Sequence, residues 1–171
     1  IIEKKDNKYH LAKEIREVII PSTIQDVIMA RMDSLPEGAK GLLQTGSVAG
    51  REFSHDLIKK VTELLEEELL SRLSVLRDSE LLYERGIYPQ SNYVFKHALT
   101  QEVAYDSLLQ KRRREIHQKI GKALEQVYAD RPEELCEMLA YHSMQGEDWE
   151  PAYTHTREAG LKAYSHSAYE Q

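Results

Sequence analysis

From residue 22 onward, apolar positions recur at helical spacing along most of the chain. Ile24, Val27, Ile28, Met32 and Leu35 fall at i, i+3, i+4, i+8 and i+11, one face of a helix. Ser22, after Pro21, can cap that helix, and Gln25 three residues on is its reciprocal partner. Pro36 takes a favoured first-turn position for the next helix, where Ala39, Leu42, Leu43 and Gly46 align before Gly50. "REFSHDLI" restarts the chain with Ser54 as cap. A break near Thr62 separates it from 63–78, where Leu65, Leu69, Leu73 and Leu76 share a face.

The pattern then changes. In "LLYERGIYPQSNYVF" two short β-type runs, 81–84 and 93–95, flank Gly86, Pro89, Ser91 and Asn92, a hairpin with a long loop. Three helices followed by a two-stranded hairpin is the layout of a winged-helix module, placed at 36–110. Before it, residues 1–20 are poorly periodic, with "KYHL" and "EVII" as candidate extended pieces.

Beyond the hairpin the periodicity is helical again. Ile116, Ile120, Ala123, Leu124, Val127 and Tyr128 form a stripe on 112–129, which "ADRP" ends. Leu135, Met138, Leu139 and His142 line the next helix, closed by "QGED". Trp149, Ala152, Tyr153, Thr156, Gly160 and Ala163 make the last face. The Trp-x-x-Ala-Tyr and Ala-Gly-x-x-Ala spacings are those of tetratricopeptide-like hairpins. The expected fold is therefore mainly α: a winged-helix-like module with a small β-hairpin, then tetratricopeptide-like helical hairpins over 111–171.

Composition narrows the function. The 171 residues carry a net charge of −6, which argues against a general nucleic-acid binder. The charge is uneven: 63–80 holds six acids against Arg72 and Arg77, and 111–122 holds six cations against Glu115. One cysteine, Cys136, gives no internal disulfide framework and fits a reducing compartment. With no run of about 18 apolar residues and no signal-peptide pattern, the expectation is a soluble, cytoplasmic protein. An opening isoleucine and an uncapped "SHSAYEQ" read as cuts inside a longer polypeptide.

Catalytic chemistry does not emerge. There is no phosphate-binding Gly-x-x-x-x-Gly-Lys-Ser/Thr loop and no nucleophile-elbow motif. Histidines 10, 55, 97, 117, 142, 155 and 166 lack paired metal-ligand spacing, and Cys136 has no partner thiol. His142, on an apolar face, reads as a packed core histidine.

Three separated stretches carry a resemblance: "IPSTIQDVIMARMDSLPEGAKGLLQTGSVAGREFS", "YVFKHALTQEVAYDSLL" with "RRREIHQKIGKALE", and "YHSMQGEDWEPAYTH". In this order they resemble the middle of bacterial signal-transduction ATPases of the STAND class, often fused to class III adenylate or guanylate cyclase domains. The resemblance covers about residues 9–171. It implies an upstream nucleotide-binding domain, with 1–35 as the end of its lid region and a linker helix, and downstream helical repeats. It implies no enzyme within the fragment, and ADP or ATP as a cofactor of the whole protein only.

The same resemblance gives His97 a role. In that family a histidine just after the hairpin, in a Met-His-Asp-like motif, reaches the β-phosphate of ADP and holds the closed state. "FKHALTQEVA" matches it, except that Ala98 stands in place of the aspartate. A charge-assisted hydrogen bond of about 1.5–3 kcal/mol would bias the switch roughly 10- to 150-fold. The bland alternative is that His97 only caps or packs the strand–helix junction.

Other candidates carry paired readings. Lys111, Arg112, Arg113 and Arg114 are either a patch for an acidic partner or a polar helix start that pairs with a neighbouring domain. Four cations in a first turn oppose the helix dipole, so an acidic partner, which could be intramolecular, is expected opposite. Trp149 and Tyr153 either line a partner groove or form hairpin core. The main alternative function is a nucleotide-independent protein-interaction scaffold. A DNA-binding regulator is less favoured, because Glu66, Glu67 and Glu68 would face phosphates.

Overall fold

A computed structural model describes residues 2–5, 8–11, 22–128 and 132–168, with side chains over 24–128 and 135–165. A first hairpin pairs β1 (Ile2–Lys5) with β2 (Lys8–Leu11), so "KYHL" is indeed extended. "EVII" and the Pro21–Ser22 cap lie outside the residues and side chains described. Helices α1 (Ser22–Asp33) and α2 (Glu37–Ala49) follow. Next come β3 (Glu52–Ser54), α3 (His55–Thr62) and α4 (Glu66–Asp78). Strands β4 (Leu82–Arg85) and β5 (Asn92–Phe95) form the second hairpin. Helices α5 (Ala98–Asp106), α6 (Gln110–Val127), α7 (Pro132–Gln145) and α8 (Trp149–Ala168) complete the chain.

The architecture is mainly helical around one three-stranded antiparallel sheet of order β3–β5–β4. Strand β3 adds an edge that periodicity does not predict, because three residues are too few to alternate visibly. It sets Phe53 opposite Tyr93 on the central strand, and β4 sets Leu82 opposite Phe95. Ser54 caps α3 as expected, its hydroxyl accepting from Leu57 N at 3.2 Å. Glu63, left-handed at φ 55°, ends that helix.

A first core joins sheet and helices through Leu42, Leu43, Phe53, Leu69, Leu73, Leu76, Tyr93 and Phe95, all nearly inaccessible. Helix and sheet approach closely at Gly46: a Cβ there would lie 2.6 Å from the Phe53 ring. A glycine is what lets the ring edge meet the α2 backbone. The second core joins α2 and α3 to α6 and α7 through Val48, Leu57, Val61, Ile116, Ile120, Leu124 and Leu139. Helix α6 is thus packed on its predecessors as well as on α7.

Several expected faces shift. Ile24 and Val27 are exposed, so the α1 stripe is covered only from Ile28 onward. Leu65, at the N-cap of α4, is 78% exposed, and Met138 also lies outside. On α8 only Ala152 of the expected face is buried. The covered stripe is offset by one residue, through Ala152, His155 and Ala159, and this overturns the hairpin-core reading of Trp149 and Tyr153.

Candidate functional site

His97 occupies the N-cap of α5, two residues beyond the end of the central strand. Its extended backbone, φ −131° and ψ 139°, turns the chain from sheet to helix, and its carbonyl accepts from Thr100 N at 3.1 Å. Its side chain makes no capping bond and is exposed, while Phe95 just before it is fully buried. The ring is therefore held at a fixed root with its face toward solvent.

The residue before His97 is tied to the turn that precedes β4. Lys96 N donates to Leu81 O at 3.0 Å, and its ammonium lies 3.2 Å from Glu80. Arg31, at the end of α1, donates to Ser79 O at 2.8 Å. Two cations thus meet the 79–81 turn, Arg31 from α1 and Lys96 from the position just before His97.

The basic run divides in two. Lys111 and Arg112 are exposed, and Arg112 pairs with Glu115 at 3.2 Å. Arg113 turns back to the end of α5, donating to Tyr105 O at 3.0 Å and lying 3.4 Å from Asp106. Its guanidinium also stacks 4.0 Å from the Tyr105 ring centre. A cation over terminal carbonyls favours the α5 dipole, which accounts for one charge that looks misplaced on α6. Arg114 Nε approaches Glu147 to 2.9 Å, without hydrogen-bond alignment. The acidic partners expected opposite this run are thus intramolecular for Arg113 and Arg114.

One cluster escapes sequence reasoning. His117 on α6 and His142 on α7, each 1% exposed, face each other Nδ1 to Nδ1 at 2.9 Å. One proton between them satisfies both nitrogens. Tyr105 bonds His117 Nε2 at 3.1 Å, and the Tyr141 ring stands edge-on to both imidazoles. Burial pushes His117 down to about 4, helped by the Arg113 charge, and His142 down to about 3. The packed-histidine reading of His142 agrees with this. The available signal for His117 was its own spacing, four after Arg113 and three before Ile120.

A third buried histidine, His55, opens α3 with Nε2 3.0 Å from Glu66 Oε1. Glu66 also meets Lys59 and accepts from Tyr88, which straps the β4–β5 loop onto α4. Lys59 is the chief cause that Glu66 lies below the usual carboxylate range. Among the described residues no group of three or more His, Cys, Asp or Glu is placed to hold a metal, and no helix is long and apolar enough to cross a membrane.

Trp149 and Tyr153 are exposed on α8. With Met144, Ala152, Thr156 and Arg157 they line an open concavity of about 400 Å³. No protein family matches the sequence, and no curated protein matches it.

Proposed function

We propose that this chain is the non-catalytic relay of a STAND-type ATPase, a winged-helix module joined to tetratricopeptide-like hairpins. It would couple the nucleotide state of an ATPase domain to an effector, with an adenylate or guanylate cyclase as the output the resemblance suggests. The observation that carries the reading is the solvent-facing His97 at the root of the β4–β5 hairpin. Support comes from the element order α2–β3–α3–α4–β4–β5 with sheet order β3–β5–β4, which matches a winged helix with its short first strand. Lys96, next to His97 in the chain and exposed, adds a donor suited to a phosphate.

The test is His97→Ala in the full-length protein, with ADP affinity and basal output both measured. The expected result is ADP weakened by roughly 10- to 150-fold and raised basal output. Unchanged affinity together with unchanged output would leave only a scaffold. DNA recognition is disfavoured by the acidic first turn of α4, where Glu66, Glu67 and Glu68 would oppose a phosphate backbone.

A further inference from the structure

Helix α8 leaves one long stripe uncovered. Trp149, Tyr153, Thr156, Gly160 and Ala163 recur at steps of four, three, four and three residues, the spacing of a coiled-coil seam. All five are exposed, Trp149 by 67% and Tyr153 by 74%. The adjacent stripe through Ala152 and His155 is already packed, with His155 3.3 Å from Glu125 of α6. The seam therefore runs beside a finished interface. Tyr164 and Leu161 lie on its flank.

The stripe is graded in size. Two aromatic rings occupy the N-terminal half, threonine the middle, glycine and alanine the C-terminal half. A Cβ built at Gly160 would meet nothing within 4 Å. Parallel pairing of two such helices would crowd ring on ring and leave the small ends apart. Antiparallel pairing lays Trp149 of each helix over Gly160 of the other, and Tyr153 over Thr156.

Charge selects the same arrangement. Glu150 and Arg157 sit two turns apart on one edge of the seam, and neither has an ion-pair partner among the described residues. An antiparallel two-fold brings Glu150 of each copy toward Arg157 of the other, twice over. Such reciprocity, residue i meeting j while j meets i, defines an isologous interface. Any other helix would have to supply the reversed size gradient and the reversed charges together, whereas a second α8 supplies both by symmetry.

We propose that a second copy of this chain docks on this face, forming a two-fold dimer through antiparallel α8 helices. The proposal is independent of His97 and of any nucleotide. Twenty residues of helix span about 30 Å, which places the contact among small, reversible interfaces.

Sedimentation velocity on the 171-residue chain tests it. The expected result is a monomer–dimer equilibrium with a midpoint of roughly tens of micromolar, as a small interface gives. Gly160→Leu fills space that is empty in the monomer, so its circular dichroism and melting temperature should hold or rise. Its dimerisation should weaken at least about tenfold by overpacking. Glu150→Arg and Arg157→Glu should each weaken association by roughly 3- to 10-fold, and the double reversal should restore it. A folded monomer up to about 300 µM would overturn the proposal, as would a dimer indifferent to Gly160→Leu or a double reversal no tighter than the singles.

Discussion

The sheet-bearing region and the α7–α8 hairpin handle their large side chains in opposite ways. Around β3–β5–β4, Leu43, Leu69, Leu76 and Phe95 are completely inaccessible. In the hairpin Met138, Met144, Trp149 and Tyr153 lie outside, while the polar pair His117–His142 sits where α6 meets α7. A helix wedged among a sheet and several neighbours has one direction that water cannot reach. A helix with one flank on its neighbour keeps another about 100° away, and apolar spacing cannot say which flank is covered.

The largest effect should therefore follow truncation in the first region. Leu69→Ala removes a fully buried α4 side chain of the first core, and should cost about 2–5 kcal/mol in denaturant unfolding. Ile120→Ala, the corresponding position on α6, should fall in the same range. Losses below roughly 0.5 kcal/mol at both would erase the contrast between sealed and open regions.

The histidine pair sharpens the contrast through pH. In the unfolded chain each imidazole takes a proton near pH 6.5, whereas the folded pair resists one down to about 4 and about 3. Between those values the unfolded chain binds more protons. Stability is thus fully present above pH 6.5 and lost as pH falls below it. Between pH 6.5 and 5 the two rings should together cost at most about 3 kcal/mol. Glu66 and Glu84, both held below the usual carboxylate range, stay charged across that window. Denaturant midpoints measured every half unit check the slope. Replacing His117 and His142 together by leucine should flatten it, since removing both partners leaves no orphan nitrogen between them.

Much of the fold was legible in the chain. Gly50, Thr62 and the Gly86–Asn92 loop mark boundaries that the elements respect within a few residues, because Gly, Pro and Ser act locally through φ and capping. What escaped depends on partners distant in sequence. Strand β3 exists because β5 offers it an edge, and the cap that Arg113 places on α5 comes from the following helix. The His117–His142 contact joins positions 25 residues apart that no local spacing connects. His97 lay in view at the strand–helix boundary, and its exposure follows from its place at the N-cap of α5, outside the strand's alternation.

A smaller change probes the close approach of α2 to Phe53 in the first core. Gly46→Ala should gain about 1 kcal/mol of helix propensity. It must also push the enclosed Phe53 ring back from a 2.6 Å contact, an overpacking cost of about 1–3 kcal/mol. Because Phe53 is 3% exposed and braced by Tyr93 and Phe95, the ring has little room and net destabilisation is expected. A variant more stable than the parent in thermal melts would mean the ring can yield, and that the sealed region is softer than its burial indicates.

The smallest effect is expected at Tyr153→Ala, in the open region. At low micromolar concentration, where the proposed dimer is dissociated, Tyr153 is 74% exposed and its loss should change unfolding free energy by less than about 0.5 kcal/mol. Its aromatic bulk equals that of Tyr93, 1% exposed on the central strand, whose replacement by alanine should cost several-fold more. The two tyrosines thus separate chemistry from placement: same residue type, opposite sides of the contrast. A cost at position 153 comparable to that at 93 would show that the α8 stripe already rests on the monomer's own core, leaving no free seam for a second chain.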